Sequence, residues 1–421
     1  MVQNKPYKSP SYYIKKRFLA NKPAIFGLIL ILFSCLITFL GYSIMPDSSK
    51  NANDGAVEIK KKPPFFKVTL LKVRKKFDIE TPNFVYKMFM GEEKTHSIIP
   101  LLTYRVEGDK VHYVVYTDKQ RRKDRDLNTK EQTMPLVMAV KQLYAGESTK
   151  LSTTGELFST DGNKIRYLDS HENIQTVELI ALQEEFKANN IENRTYYLGT
   201  DLAGRDMLSR LLFGTRISLA IGFISLLISL LVGITLGALG GFFGGATDNF
   251  VNWLMTVVWS IPSIMLVIAI SLALQSKGIW VAFVAVGLTM WVDVARAVRG
   301  EILTIKQKLF VEAARAFGLT NGRIIYRHIL PNILGSMIVI SSSNFASAIL
   351  VEAGLSFLGL GVQPPMPSWG MMVNEGFHVL NTADSWHLIL FPSLAISLLV
   401  LAFNLLGNGL RDAYDPKTQM Q

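Results

Sequence analysis

The sequence predicts an all-α polytopic membrane protein with six transmembrane helices and an inserted α+β extracytoplasmic domain between helices 1 and 2. Three observations lead there. Hydrophobic residues make up 49% of the 421 positions, mean hydropathy is positive, and the apolar residues gather into long runs. Six of these runs approach the roughly 20 apolar residues needed to cross about 30 Å of hydrocarbon. Lys and Arg cluster in short segments beside them.

The six windows are 24–45, 217–239, 253–274, 279–294, 333–358 and 388–408. Asp293 falls inside the end of the fourth and Arg296 just beyond it, at a spacing that suits a local ion pair. An even number of spans leaves both termini on one side. The Lys/Arg bias of short loops sets which side that is. Residues 1–23 carry Lys5, Lys8, Lys15, Lys16, Arg17 and Lys22 with no acid, so both termini, including the tail 417–421, are predicted to be cytoplasmic. Residues 299–331 fall on the same side and are also basic, through Arg299, Lys306, Lys308, Arg315, Arg323 and Arg327. The net charge of +11 is then a consequence of topology, and no nucleic-acid partner is predicted. Cys35 is the sole cysteine, so the chain has no internal disulfide. The apolar run continues past it to Leu40, and bulky Phe33 precedes Ser34, which favours an uncleaved first span over a signal peptide or a lipoprotein site.

Residues 46–198 have the composition of a soluble domain. They are predicted to be extracytoplasmic, since long loops translocate largely regardless of charge. Alternating β-branched and aromatic residues over 65–73 and 98–117 predict strands, with Glu107-Gly108-Asp109-Lys110 as a hairpin turn. Residues 135–144 predict a helix and 118–131 a charge-rich loop. His96, His112 and His171 lack metal-ligand spacing, and no metal site is predicted.

No G-x-x-x-x-G-K-[ST] phosphate cradle occurs, and Gly318-Leu319-Thr320-Asn321-Gly322-Arg323 lacks both its spacing and its lysine. No nucleophile elbow is recognisable either, so the chain is predicted to be no enzyme and to bind no cofactor. The basic segment between windows four and five is more informative. Residues 308–317 alternate at helical spacing, with Phe310 and Ala314 or Phe317 on one side and Glu312 and Arg315 on another. Gly318 suits the left-handed turn that ends a helix, and a second helical run, 323–330, reaches Pro331 at the start of the next span. Two readings stay open on these residues alone: a rigid helix with small Ala313 and Ala314 that lies in a groove of a partner, or an ordinary charged loop.

Glu312-Ala313-Ala314, then Gly318, and Ile329-Leu330-Pro331 resemble the EAA loop of bacterial ABC importer permeases. Leu198-Gly199-Thr200-Asp201-Leu202-Ala203-Gly204-Arg205-Asp206, with Ser209-Arg210, Gly214, Arg216 and Ser218-Leu219, resembles the periplasmic approach to span two in the dipeptide and oligopeptide (peptide/nickel) permease family. The passage Leu355-Ser356-Phe357-Leu358-Gly359-Leu360-Gly361-Val362-Gln363-Pro364-Pro365, with Pro367-Ser368-Trp369-Gly370, resembles the same family's segment after span five. Leu410-Arg411-Asp412 and Asp415-Pro416 fit as well, whereas Asn408 stands where the family commonly has Asp. The likeness is loose over 17–45 and close over 198–416, and it omits the insertion.

The resemblance implies a permease domain, 199–416, in the bacterial cytoplasmic membrane. It implies cytoplasmic ATPase subunits that hold ATP and Mg, a second homologous permease subunit and an extracytoplasmic solute-binding protein. Glu312, Ala313, Ala314, Arg315, Gly318, Leu330 and Pro331 would couple this chain to the ATPase. Peptides are the implied substrate, with nickel or antibiotic-peptide carriage the variants within the class. A membrane-anchored receptor or assembly protein, its function carried by the insertion, and a passive channel are the competing readings.

Two local expectations remain. Asp206 is placed to cap a short amphipathic helix, 207–213, closed by Gly214, the alternative being a plain extension of span two. Ser341, Asn344, Ala348 and Glu352 recur at steps of three, four and four, forming one stripe along span five. Such a stripe lines a transport route or packs against the second permease subunit.

Overall fold

The computed structural model describes residues 10–79, 82–117, 130–146, 148, 150–151, 156–276, 278–381 and 385–414. Most of the 118–131 loop, the first nine residues, Asp415-Pro416 and the tail 417–421 lie outside them. The α-helices are α1 (Pro10–Ala20), α2 (Lys22–Leu40), α3 (Phe84–Met90), α4 (Leu136–Val140), α5 (Leu179–Glu185), α6 (Met207–Phe243), α7 (Gly245–Trp259), α8 (Ser263–Ala273), α9 (Ile279–Ile305), α10 (Leu309–Ala316), α11 (Asn321–Ile324), α12 (Leu330–Phe357), α13 (Trp369–Phe377) and α14 (Trp386–Tyr414). Two compact units form, one of residues 40–212 with 378–388, the other of the remainder.

Among the described residues, five helical stretches are long and apolar enough to cross a membrane: 22–43, 207–243, 279–305, 321–357 and 386–414. The third window, 253–274, is not a straight span. It is the pair α7 and α8, bent by 93° at a short break. Pro262 stands at that break, lacking the N–H that would continue the ladder and turning the chain before α8 starts at Ser263. Counting the pair as one span gives six.

In the helical unit, exposed side chains fall at lipid-facing spacing. Leu390, Leu394, Leu398 and Leu401 on α14 are all solvent-accessible, as are Phe26, Ile29, Phe33 and Leu36 on α2. Between helices, small residues allow close approach. A Cβ at Gly237 would sit 2.5 Å from the Ala295 carbonyl oxygen, and one at Gly233 would sit 2.7 Å from that of Trp291, so α6 and α9 meet backbone to backbone.

The expected short helix 207–213 does not end at Gly214; α6 runs unbroken to Phe243. Gly214 serves contact rather than termination, since a Cβ there would lie 2.5 Å from the Trp369 indole. The expected Asp293–Arg296 pair is also replaced. Arg296 lays its guanidinium over the Trp259 ring, 4.0 Å from the centroid.

The other unit contains β1 (Phe66–Arg74), β2 (His96–Glu107), β3 (Lys110–Val115), β4 (Gln132–Pro135), β5 (Phe158–Asp161), β6 (Lys164–Leu168), β7 (Ile174–Glu178) and β8 (Ile191–Tyr196). A five-stranded antiparallel sheet has the order β4-β3-β2-β1-β8, and β5-β6-β7 form a smaller one. The 98–117 stretch is the β2–β3 hairpin, with Gly108 at φ 57° in its turn. The helix expected over 135–144 is shorter, because residues 132–135 join the sheet edge and leave α4 only 136–140. Leu71, Leu101, Val111, Leu136, Ile165, Leu182 and Phe186 form the core between the sheets and α4–α5.

Strands β1 and β8 pair from Phe66↔Tyr196 to Leu71↔Ile191, which brings the first and last strands of this unit side by side. Lys72 Nζ lies 2.6 Å from Glu192 Oε2 across that pairing, and Arg194 Nε donates to Glu192 Oε1 at 2.7 Å. Burial pushes the Glu192 carboxyl up, but the hydrogen bonds from Arg194 and Lys72 outweigh it and hold the carboxyl at about 2. A depressed carboxylate stabilises the fold above its unfolded pKa and loses that contribution as pH falls. Thermal unfolding of the chain in detergent should therefore drop between its ordinary value of 4.5 and about 2. Glu192→Gln should lower the melting temperature at pH 7 and flatten this acid limb; an unchanged limb would contradict the pairing.

Candidate coupling surface and its supports

The stretch after α9 is built on burial. Helix α10 has eight residues, too few to hold in water on local bonds alone. Val311 and Ala314, one turn apart, point inward and join Ile302, Ile324, Ile329 and Ile333 in a core that also takes Phe242. This corrects the expected apolar face of Phe310 with Ala314 or Phe317, and removes Ala314 from the surface offered to a partner. Side-chain spacing cannot tell which of two apolar stripes is the inner one.

The outward face carries Leu309 at 83% exposure, Phe317 at 86% and, from the following turn, Tyr326 at 78%. Glu312 and Ala313 are exposed beside them. Glu312 stands in the first turn of α10, where its charge complements the helix dipole. Arg315 folds back over the Phe242 ring, 5.1 Å from its centroid, and so fastens α10 to the end of α6. Gly318 is left-handed at φ 74° and donates to the Arg315 carbonyl at 2.9 Å, closing the helix. After α11 a π-helical turn, Ile325–Ile329, leads without a break into α12, whose first turn, from Leu330, holds Pro331.

Polar contacts brace this end of the bundle. Arg299 makes a bidentate pair with Asp248 of α7, at 2.5 and 2.7 Å, and Lys306 Nζ donates to the Gly241 carbonyl at 2.8 Å. Sequence reasoning missed the pair; an acid at the start of an apolar helix was the available signal.

The motif 199–210 folds as a clasp within the other unit. Asp201 Oδ1 accepts from the N–H groups of Ala203 and Arg205 at 2.8 and 2.9 Å, while Oδ2 faces Arg205 Nε at 2.6 Å and Arg210 Nη1 at 2.9 Å. Arg210 is fully buried. Thr200 Oγ1 donates to the Ile59 carbonyl and accepts from Lys62 N–H at 2.8 Å. Asp206 caps α6 through Ser209 N–H at 2.8 Å, and Ser209 Oγ accepts from Asp47 N–H at 2.9 Å. Burial raises the Asp206 carboxyl, opposed by the Ser209 hydrogen bonds. Gly199 and Gly204 take positive φ, 82° and 75°. A Cβ on Gly204 would fall 1.8 Å from the Ala56 carbonyl oxygen.

The α12 stripe is enclosed by its own unit. Asn344, Ala348 and Glu352 are buried, and Ser341 returns its hydroxyl to the Met337 carbonyl. Glu352 Oε1 accepts from Ser356 Oγ at 2.7 Å, and Ser356 Oγ accepts from Val362 N–H at 3.2 Å, which ties the carboxyl to the turn that follows α12. The exposed serines of α12 are Ser343 and Ser347. Ser347 lines a cavity of about 330 Å³ with Trp259, Pro262 and Asp293 at the α7–α8 bend, and Ser343 lines one of about 510 Å³ with Glu301 and Arg411.

Residues 233–420 match the family model described as binding-protein-dependent transport system inner membrane component, and residues 9–64 match that of the N-terminal TM domain of oligopeptide transport permease C. The glutathione transport system permease protein GsiD of Pectobacterium atrosepticum is 45% identical over 231 residues, 55% of this chain and 76% of that one. The dipeptide permease protein DppC of Bacillus subtilis is 41% identical, with 53% and 69% covered, and its oligopeptide permease protein OppC is 38% identical, with 55% and 74% covered. Among solved structures, an inward-facing MetNI methionine ABC transporter chain aligns over 50% of this chain and 98% of its own, at 20% identity and a TM-score of 0.42.

The two glycines differ in kind, and substitution should separate them. At Gly318 a Cβ meets nothing within 4 Å, so Gly318→Ala should cost only the left-handed strain, about 1–2 kcal/mol. Gly204→Ala must displace backbone and should lower the melting temperature of the chain in detergent much further; equal melting temperatures for the two variants would refute the clasp.

Proposed function

The chain belongs to the binding-protein-dependent transport permeases, and on that premise we propose that it is one of two permease subunits of an ATP-driven importer in the bacterial cytoplasmic membrane. It is a transport subunit rather than an enzyme. ATP and Mg²⁺ act on separate cytoplasmic ATPase subunits, and an extracytoplasmic solute-binding protein delivers the cargo. Peptides or similar small solutes are that cargo. Support comes from the relatives named for glutathione, dipeptide and oligopeptide transport.

The observation that carries the reading is the two-faced helix α10. One face is locked into the core through Val311 and Ala314, while the other presents Leu309 and Phe317 to the surroundings. Large exposed apolar side chains on a braced helix suit a protein groove. With the α7–α8 pair as the third of six spans, this face and both termini lie in the cytoplasm, where an ATPase can reach them. Closure of the ATPases presses on α10, and the shared core hands that displacement to α9 and α12. Glu312 orients the helix, Gly318 sets its turn, and Pro331 sets the start of α12. The route is assigned to the exposed side of α12, at Ser343 and Ser347, against the second permease subunit.

Reconstitution with the ATPase tests this. Leu309→Asp with Phe317→Asp should lower ATPase affinity about tenfold or more while leaving the melting temperature unchanged. Val311→Asp should lose both, because it buries an unpaired carboxylate. ATP-dependent vesicle uptake should follow the same order across a panel of dipeptides, oligopeptides, glutathione and nickel. Normal ATPase binding and uptake in the double variant would favour the anchored-receptor reading, and flux without ATP a channel.

A further inference from the structure

Helix α3 is a run of Phe84-Val85-Tyr86-Lys87-Met88-Phe89-Met90 with none of its residues buried. It is nevertheless a built element. Asn83 caps it by accepting from Tyr86 N–H at 3.1 Å, and Gly91, at φ 76°, donates to the Lys87 carbonyl at 3.0 Å. Its one charge is neutralised, since Lys87 Nζ lies 2.8 Å from Glu92, which also accepts from Ser48 at 2.6 Å and pairs with Lys94 at 3.1 Å. Burial pushes the Glu92 carboxyl up, but the bonds from Lys87, Ser48 and Lys94 prevail and hold it at about 2. The polar side is therefore tied down. The apolar side is not: Phe84 is 70% exposed, Val85 64%, and Tyr86 and Met90 57% each.

The packing of α3 against residues 41–43, where the apolar stretch of the first span ends in sequence, says what covers it. The apolar stretch Lys22–Ser43 has 22 residues, roughly 33 Å of helix, which matches the hydrocarbon thickness and puts Gly41–Ser43 at its boundary. Helix α3 packs on that final turn. A Cβ at Gly41 would lie 2.2 Å from the Met88 carbonyl oxygen, and Tyr42 lies under Gly91. Exposed apolar residues also lead up to the turn along the chain, through Phe33, Leu36 and Phe39 to Ile44. Phe and Tyr on a short helix at this depth have the composition of an interfacial anchor.

We propose that α3 is a membrane-interface anchor, its Phe84, Val85, Tyr86 and Met90 side chains immersed in the lipid around the end of the first span, so that the insertion is tethered to the bilayer surface. The proposal rests on α2 as a span but not on the identity of the cargo or on coupling to an ATPase.

The single cysteine makes the test direct. In a full-length Cys35→Ser background, cysteine is placed singly at Phe84, Met90 and, as a control on the exposed strand end of the hairpin, Lys110, and each is labelled with an environment-sensitive fluorophore. The chain is reconstituted without any partner protein into phosphatidylcholine–phosphatidylglycerol vesicles carrying brominated acyl chains. Lipid quenching at positions 84 and 90 should exceed that at 110 at least threefold, with aqueous iodide quenching reduced by a similar factor. Iodide quenching at both positions equal to that at 110 would overturn the proposal. So would protection from iodide that appears only on adding the solute-binding protein or the second permease, since a protein would then be the cover. Two labelled positions guard against one poorly folded variant.

Discussion

The arrangement depends on the burial of Val311 and Ala314. An eight-residue helix has little stability of its own, and α10 exists because these two side chains enter the core of Ile302, Ile324, Ile329 and Ile333. Burial of the valine alone is worth about 1.5–3 kcal/mol. That inward face leaves the helix free to expose Leu309 and Phe317 on the other side. The same packing means that α10 cannot shift without α9 and α12, because close-packed interiors transmit displacement rather than absorb it.

Around that core the helical unit is braced rather than loosely bundled. Arg299 grips Asp248 with two hydrogen bonds, Lys306 holds the Gly241 carbonyl, and Gly233 and Gly237 bring α6 against α9. The break at Pro262 is the exception, a 93° bend beside a cavity edged by Ser347 and Asp293. The other unit relies on a different device. Asp201 accepts three hydrogen bonds from Ala203 and Arg205, pairs with the buried Arg210 guanidinium, and fixes the loop that carries Gly204 beneath Ala56.

Much of this was legible in the sequence where the signal is local. The apolar windows, the Gly108 turn, the capping Asp206 and the helix ended by Gly318 each follow from a few adjacent residues. What was not legible is long-range. Pairing of β1 with β8 joins residues more than a hundred positions apart, and no local pattern marks it. Ala314 and Glu352 were read as outward-facing because spacing gives a stripe but not its direction. Gly214 looked like a helix stop, but Trp369, packed against it, supplies a tertiary reason for a glycine that a local rule cannot see. Pro262 was visible throughout, yet the hydropathy of 253–274 concealed the bend it causes.

The most direct measurement of the central claim is a spin-label distance between Ala313 on α10 and Leu334 on α12, in the Cys35→Ser background, with the ATPase bound and nucleotide added or withheld. A rigid linkage predicts the same distance distribution in both states, while labels across the two permease subunits move apart or together. A distribution that shifts with nucleotide, with the inter-subunit distances unchanged, would show α10 moving on its own and contradict the account.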